Sequence, residues 1–202
     1  MAPSKLRIRF AIESHLTAVE PEMKAATLRA AKQLEALGHH VEEGPAAPAI
    51  DGEDFLPVMA RMMANVPVPP FTSRVLQPTT RWMRSVGKRV TKREARERHA
   101  ALQRRLDTWF AADGTDAWLS PTCGVWAPRV GQFDDVEGEA LFRAVVPIGA
   151  FTAAFNITGQ PAASLPAGVS EAGLPIGVQL ATKRGAERLL LGLAAALEPM
   201  LR

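Results

Sequence analysis

Hydroxyl and thiol side chains are the first candidates for chemistry in this sequence, because a serine or cysteine beside a proton acceptor can attack a carbonyl carbon. Such a site also needs preorganised N–H donors for the oxyanion, which a Gly-rich turn can supply. The sequence contains no Gly-Ser-Ser run and no cluster of Gly and Ser, and its serines are scattered at positions 4, 14, 73, 85, 120, 164 and 170. We therefore predict no catalytic residue in this chain.

A lysine can serve as the proton acceptor only where burial removes its charge. The lysines stand in polar or helix-surface contexts, at positions 5, 24, 32, 88, 92 and 183. Cys123 follows a predicted strand end, where active-site residues often lie, but no motif links it to any of the four histidines. A small buried thiol is therefore the better interpretation of Cys123.

Two charged stretches are candidate binding sites. The acidic residues at 134, 135, 137 and 139 lack the alternating ligands of a calcium loop, so a solvated loop is favoured and no metal or other cofactor is predicted. Residues 81–105 contain ten Lys or Arg against Glu94 and Glu97, in a chain of net charge +3. Trp82 is the one aromatic residue inside this stretch, and no nucleic-acid motif accompanies it. A helix with a charged solvent-facing side is favoured over a nucleic-acid site.

The most informative stretch is residues 155–180, which read FNITGQPAASLPAGVSEAGLPIGVQL. Its two short apolar runs, residues 161–165 and 176–180, are typical of buried strands. The polar connection at 168–173 has the length of a hairpin loop, with Gly168 and Gly173 at its ends. We also expect Gly159 to adopt a positive φ in the turn before Pro161.

This stretch resembles the C-terminal end of the amidase signature family, whose members hydrolyse amides with a Ser–Ser–Lys group. The resemblance is carried by three ordered motifs: Phe155-Asn156-x-Thr158-Gly159-x-Pro161-Ala162, Ser164-x-Pro166-Ala167-Gly168 and Gly173-Leu174-Pro175-Ile176-Gly177-Val178-Gln179-Leu180. In the family, the Gly/Ser-rich loop and the catalytic lysine precede the region matched here. The resemblance implies that this chain holds the scaffold and substrate-side portion of an amidase and is inactive alone.

The pattern of apolar residues and turn residues in the rest of the sequence predicts an α/β chain that contributes part of a mixed β-sheet flanked by helices. We expect residues 1–202 to form one domain. A strand at 6–12, a helix opened by Pro21 and a strand at His40–Glu43 favour a parallel pair. The other predicted elements are helices at Gly52–Asn65, at 81–112 with a break near Gly87, at 144–155 and at Glu187–Leu197, and a strand at 116–119. Thr91 is a predicted N-cap.

The predicted substrate-binding residues are Thr122, Ile148, Gly149, Phe151 and Thr152. The resemblance implies that the segment before the Asn-x-Thr-Gly turn shapes the amide pocket. Some relatives place an acidic residue there, whereas this chain has Gly149. Apolar neighbours at 148 and 151 therefore favour an uncharged or hydrophobic substrate.

The predicted partners are a small-molecule amide in the intact enzyme, and either a missing catalytic half or a second copy of the chain. One alternative is a non-catalytic subunit that completes a separately encoded catalytic half. The other is a basic nucleic-acid-associated protein. We predict a cytoplasmic location for three reasons. The sequence has one cysteine, it has no apolar run of membrane-spanning length, and it shows no signal-peptide pattern.

Overall fold

A computed structural model of the chain describes residues 5–48, 50, 52–69, 75–112 and 114–201. The strands are β1 (Arg7–Phe10), β2 (His40–Glu43), β3 (Ala117–Pro121), β4 (Ala162–Val169) and β5 (Pro175–Thr182). They form one sheet in the order β2-β1-β3-β5-β4. The first three strands run parallel, and β5 runs antiparallel to β3 and β4. The predicted mixed sheet, the early parallel pair and the hairpin at 161–180 are thus confirmed.

The helices of the described residues are α1 (Pro21–Ala36), α2 (Gly52–Asn65), α3 (Pro78–Arg89), α4 (Lys92–Ala111), α5 (Gly138–Val145), α6 (Ala153–Thr158) and α7 (Glu187–Leu197). Glu198–Met200 adds a short 3₁₀ turn. The predicted bounds of α2 and α7 agree with the structure to the residue. No helix in the described part of the chain combines the length and the apolar character needed to cross a membrane.

The two faces of the sheet are covered by different helices. Helices α1 and α7 contact β4 and β5 on one face. That face carries Leu119 and Leu180, which are opposite each other in register and fully buried. Because neighbouring strand residues point to opposite faces, Trp118 lies on the other side. There its ring contacts Trp109 of α4 and Phe155 of α6, at centroid distances of 5.6 and 5.4 Å.

The predicted break in the helix at 81–112 is confirmed, but its predicted position near Gly87 is wrong by three residues, since Gly87 lies inside α3 and the break falls at Val90 and Thr91. Gly87 is a contact point instead: a Cβ built on it would lie 1.9 Å from the carbonyl oxygen of Ala60 in α2. The next helix begins as predicted, because the Glu94 amide donates to the Thr91 hydroxyl at 3.1 Å.

The predicted helix at 144–155 is also wrong, because two helices with a turn between them occupy this region. Helix α5 ends at Val145, and α6 begins only at Ala153. Between them, Ile148 and Gly149 donate to the carbonyls three residues earlier, at 3.0 and 3.1 Å, as in tight turns. Pro147 has no N–H to donate to an α-helical ladder, which explains the interruption.

Candidate functional site

The sheet has a topological switch point between β1 and β3. From β1 the chain passes through α1 to β2 on one side, whereas β3 lies on the other side of β1 and follows α4. Ligands of open α/β sheets bind outside the carboxyl ends of strands at such a point. Thr122 and Cys123 directly follow the carboxyl end of β3. The topology therefore favours the end of β3, with the predicted residue Thr122, as part of a site.

Ser120 lies within this segment but is not exposed to a ligand. Its side chain is fully buried, and its hydroxyl donates to the Pro121 carbonyl at 2.8 Å. The Gln179 amide group donates to the Ser120 oxygen at 3.4 Å and to the Phe151 carbonyl at 3.0 Å. Ser120 thus belongs to a buried network that joins β3, β5 and the 146–152 turn.

A groove of about 550 Å³ opens beside Ser120, between the end of β3 and the β4–β5 hairpin. Thr122, Cys123, Ile148 and Ser164 line it, and all its other lining residues are uncharged. On its wall, the Thr122 and Ser164 hydroxyl oxygens are 2.7 Å apart, which is a hydrogen bond. The groove therefore offers an apolar surface with one pair of hydroxyl groups.

The predicted substrate-binding residues do not line a single pocket in the structure. Thr122 and Ile148 line the groove, while Gly149 and Thr152 line a separate cavity of about 190 Å³ between α2, α5 and α6. That cavity is also uncharged, with Phe55 and Phe142 among its apolar residues and Asn156 among its polar ones. Phe151 lines neither of the two; it is 4% exposed and packs against Trp118.

The Cys123 thiol is partly buried, and burial raises its pKa. A raised pKa lowers the thiolate fraction, so it acts against a nucleophilic role. Two histidines are occupied away from the groove. The Leu6 amide donates to Nδ1 of His39 at 3.3 Å, and Nε2 of His99 is 2.8 Å from the Ile157 carbonyl oxygen. These observations favour the interpretation of Cys123 as a small packed thiol.

All six lysines lie in the described residues, and none of them is buried. Five of them are exposed. The sixth, Lys24, is half-buried and forms an ion pair with Glu13. The described chain therefore offers no buried lysine of the kind that could act as a neutral base.

The charged stretches serve structural contacts in the described residues. In the acidic segment, Glu139 pairs with Arg143 along α5. No group of three or more metal-ligating side chains was found among the described residues. In the basic stretch, Arg98 pairs with Glu94, Arg105 pairs with Asp54, and Arg84 donates to two carbonyls of the α2 end.

Ser164 and Gln179 form part of the site, although neither was among the predicted substrate-binding residues. The strand register places Ser120, Gln179 and Ser164 side by side across β3, β5 and β4. The alternation of side chains along each strand is visible in the sequence, but the register between strands is not. Both residues do stand within the family-like motifs, Ser164 in the second and Gln179 in the third.

The comparisons with known proteins agree with the motifs. The Amidase family model matches residues 1–191. The chain is 35% identical to the putative amidase AmiC of Mycobacterium tuberculosis, over 98% of this chain and 44% of that protein. It is 34% identical to a 6-aminohexanoate-cyclic-dimer hydrolase of a Pseudomonas species, over 90% of this chain and 41% of that protein.

The solved structures show the same relationship. A 6-aminohexanoate cyclic dimer hydrolase, solved with its substrate, matches with a TM-score of 0.82 and 29% identity, over the whole chain and 46% of that structure. A bacterial aryl acylamidase shares the fold, with a TM-score of 0.71 at 19% identity. The chain thus spans less than half the length of these relatives. The predicted resemblance is confirmed: this chain belongs to the amidase family.

Proposed function

We propose that this chain is the C-terminal, substrate-side portion of an amidase signature hydrolase that cleaves carboxamides. The observation that carries the proposal is the family match over residues 1–191, in a chain spanning 44% of a curated relative and lacking a buried lysine among its six. In the intact enzyme, a serine supplied by the remaining polypeptide forms a bond to the amide carbon as the C–N bond breaks. The amine leaves with a proton, and water then releases the acid from the acyl-serine.

In this proposal the present chain forms the wall against which the amide lies. The groove at Thr122 and Ile148 and the cavity at Gly149 and Thr152 give that wall its shape. Phe151 anchors the turn that carries Ile148, Gly149 and Thr152, because its ring packs against Trp118 and its carbonyl accepts a hydrogen bond from Gln179. The cytoplasmic location predicted from the sequence is part of the same proposal.

The chain alone is expected to hydrolyse no amide. Triad enzymes that lack one catalytic residue keep roughly 10³–10⁴-fold acceleration over water, because the oxyanion hole and substrate binding survive. Here we expect the oxyanion loop to be missing as well, so this residual activity should also vanish. The measurement is turnover of small aliphatic and aromatic amides, together with labelling by a serine-reactive probe.

Three variants make that test decisive: Ser120→Ala, Ser164→Ala and Cys123→Ala. Turnover by the original chain that one of these substitutions abolishes would overturn the proposal, because it would reveal an active site within this chain. Labelling that persists in all three variants would identify the reaction as nonspecific.

Two measurements distinguish the two alternatives: identification of any protein that co-purifies with the chain, and the salt dependence of nucleic-acid binding. A separately encoded Gly/Ser-rich partner that co-purifies with the chain would favour a non-catalytic subunit of a split amidase. Nucleic-acid binding that falls steeply between low and moderate salt would favour the basic alternative, since such binding depends on release of counterions. The pairing of Arg98 and Arg105 with acidic side chains argues against the basic alternative.

A further inference from the structure

We propose that the Thr122–Ser164 hydroxyl pair recognises an uncharged amide group, and that the rest of the groove takes the apolar part of the same molecule. This inference rests on the proposed function and deepens it by naming the residues that recognise the amide group of the substrate. Of the two, Thr122 was among the predicted substrate-binding residues and Ser164 was not.

The hydroxyl pair has a hydrogen-bonding capacity that matches an amide. Each hydroxyl has one donor and two acceptor positions. The bond between the two oxygens, 2.7 Å long, uses one proton and one lone pair. One O–H therefore remains to donate to an amide carbonyl, while the lone pairs of the neighbouring oxygen can accept from the amide N–H.

The backbone keeps these hydroxyls together and uncovered. Thr122 is tied to β5 through its amide, which donates to the Gly177 carbonyl at 3.0 Å. A Cβ on Gly177 would lie 3.0 Å from the Thr122 hydroxyl oxygen and 3.1 Å from that of Ser164. A side chain at 177 would thus crowd the pair, and glycine leaves it open to the groove.

The absence of charged side chains from the groove disfavours binding of ionic ligands. None of its lining residues is charged, and the apolar ones include Val125, Ile148 and Ile176. A carboxylate entering this groove would lose water without gaining a cation, which is unfavourable. It would also find one donor where its oxygens need several. The groove therefore prefers an amide to the acid formed by its hydrolysis, which favours release of that product.

The test measures binding to the purified full chain, so it does not depend on turnover. Hexanamide is compared with hexanoate and with the matched methyl ketone, in which a methyl group replaces the amino group. Nuclear magnetic resonance of isotope-labelled protein reports both the affinity and the location. We expect hexanamide to shift the Thr122 and Gly177 amide signals. It should bind about three- to tenfold more tightly than the ketone, the range of one neutral hydrogen bond, and more tightly still than hexanoate.

The variants Thr122→Val and Ser164→Ala should each erase the preference for amide over ketone while leaving ketone binding unchanged. Thr122→Ser should restore the preference, because it keeps the hydroxyl. The control is Ser85→Ala on α3, whose hydroxyl donates to the Trp82 carbonyl outside the groove. If Thr122→Val lowers the melting temperature strongly, Ser164→Ala alone decides the result.

Three results would overturn the inference: equal binding of hexanamide and ketone, hexanoate binding as tight as that of hexanamide, or no binding of any of the three. Failure of the proposed function would look different. It would appear as amide turnover by the chain alone, whichever ligands the groove prefers.

Discussion

Gly87 marks the closest approach of two helices, because the position of its missing Cβ lies 1.9 Å from the Ala60 carbonyl oxygen and 2.9 Å from the Arg61 amide nitrogen. Gly87→Ala would gain about 0.5–1 kcal/mol of helix propensity in an open helix. Here the methyl group must push α2 and α3 apart. We expect a net destabilisation of about 1–3 kcal/mol, measured by denaturant unfolding. Lys88→Ala, an exposed neighbour in α3, is the control. A Gly87→Ala protein as stable as this control would show that the two helices can separate freely.

Gly159 is constrained by its backbone rather than by its neighbours. Its φ is +80° at the C-terminal end of α6, as predicted, and no atom lies within 4 Å of an added Cβ. Gly159→Val should therefore cost about 1–3 kcal/mol through backbone strain alone. Gly159→Asn, which tolerates this conformation better, should cost less. Melting temperatures of the two variants give the comparison, and an unchanged value for the Val variant would contradict the strained turn.

At the residue scale, the sequence predicted best the features that depend on local chemistry. The Thr91 cap and the Gly159 turn each follow from a few neighbouring residues, and both are confirmed. The Thr122–Ser164 pair brings together residues 42 positions apart, so no local pattern could have identified it. The separation of Thr122 from Gly149 and Thr152 likewise follows from the packing of the 146–152 turn.

At the element scale, strong periodicity predicted helices and strands well, whereas their interruptions were less predictable. Helix α7 buries Leu190, Leu193 and Leu197 on one side, and its bounds were predicted correctly. The break after α3 was misplaced, since glycine often ends a helix but Gly87 serves close packing against Ala60 instead. A glycine that permits a turn and one that permits a contact look the same in a sequence.

The two edges of the sheet differ in a way that concerns the whole molecule. Strand β2 has four residues, three of them ionisable, and its Glu42 pairs with Arg7 and Arg9 of β1. Strand β4 has eight residues and no charged side chain, and it has no further strand beside it in the described part of the chain. Short strands and charges protect edges from pairing with other chains. Pro166 and the irregular pairing between Pro166 and Val169 protect only part of β4, and the rest of the strand lacks these protections.

The isolated chain is therefore expected to self-associate or to bind a hydrophobic dye, because β4 exposes an unprotected edge. Ala162→Lys places a charge on the exposed side of β4 and should reduce both effects. Leu191→Lys is the matched control, since Leu191 is an exposed apolar residue, 65% accessible, on α7. Analytical ultracentrifugation and dye fluorescence at several protein concentrations provide the measurement. If Leu191→Lys abolished the association and Ala162→Lys did not, the associating surface would lie on α7 and not on β4. A monodisperse monomer that does not bind the dye would contradict this prediction, because it would indicate that residues 1–202 form a self-sufficient domain.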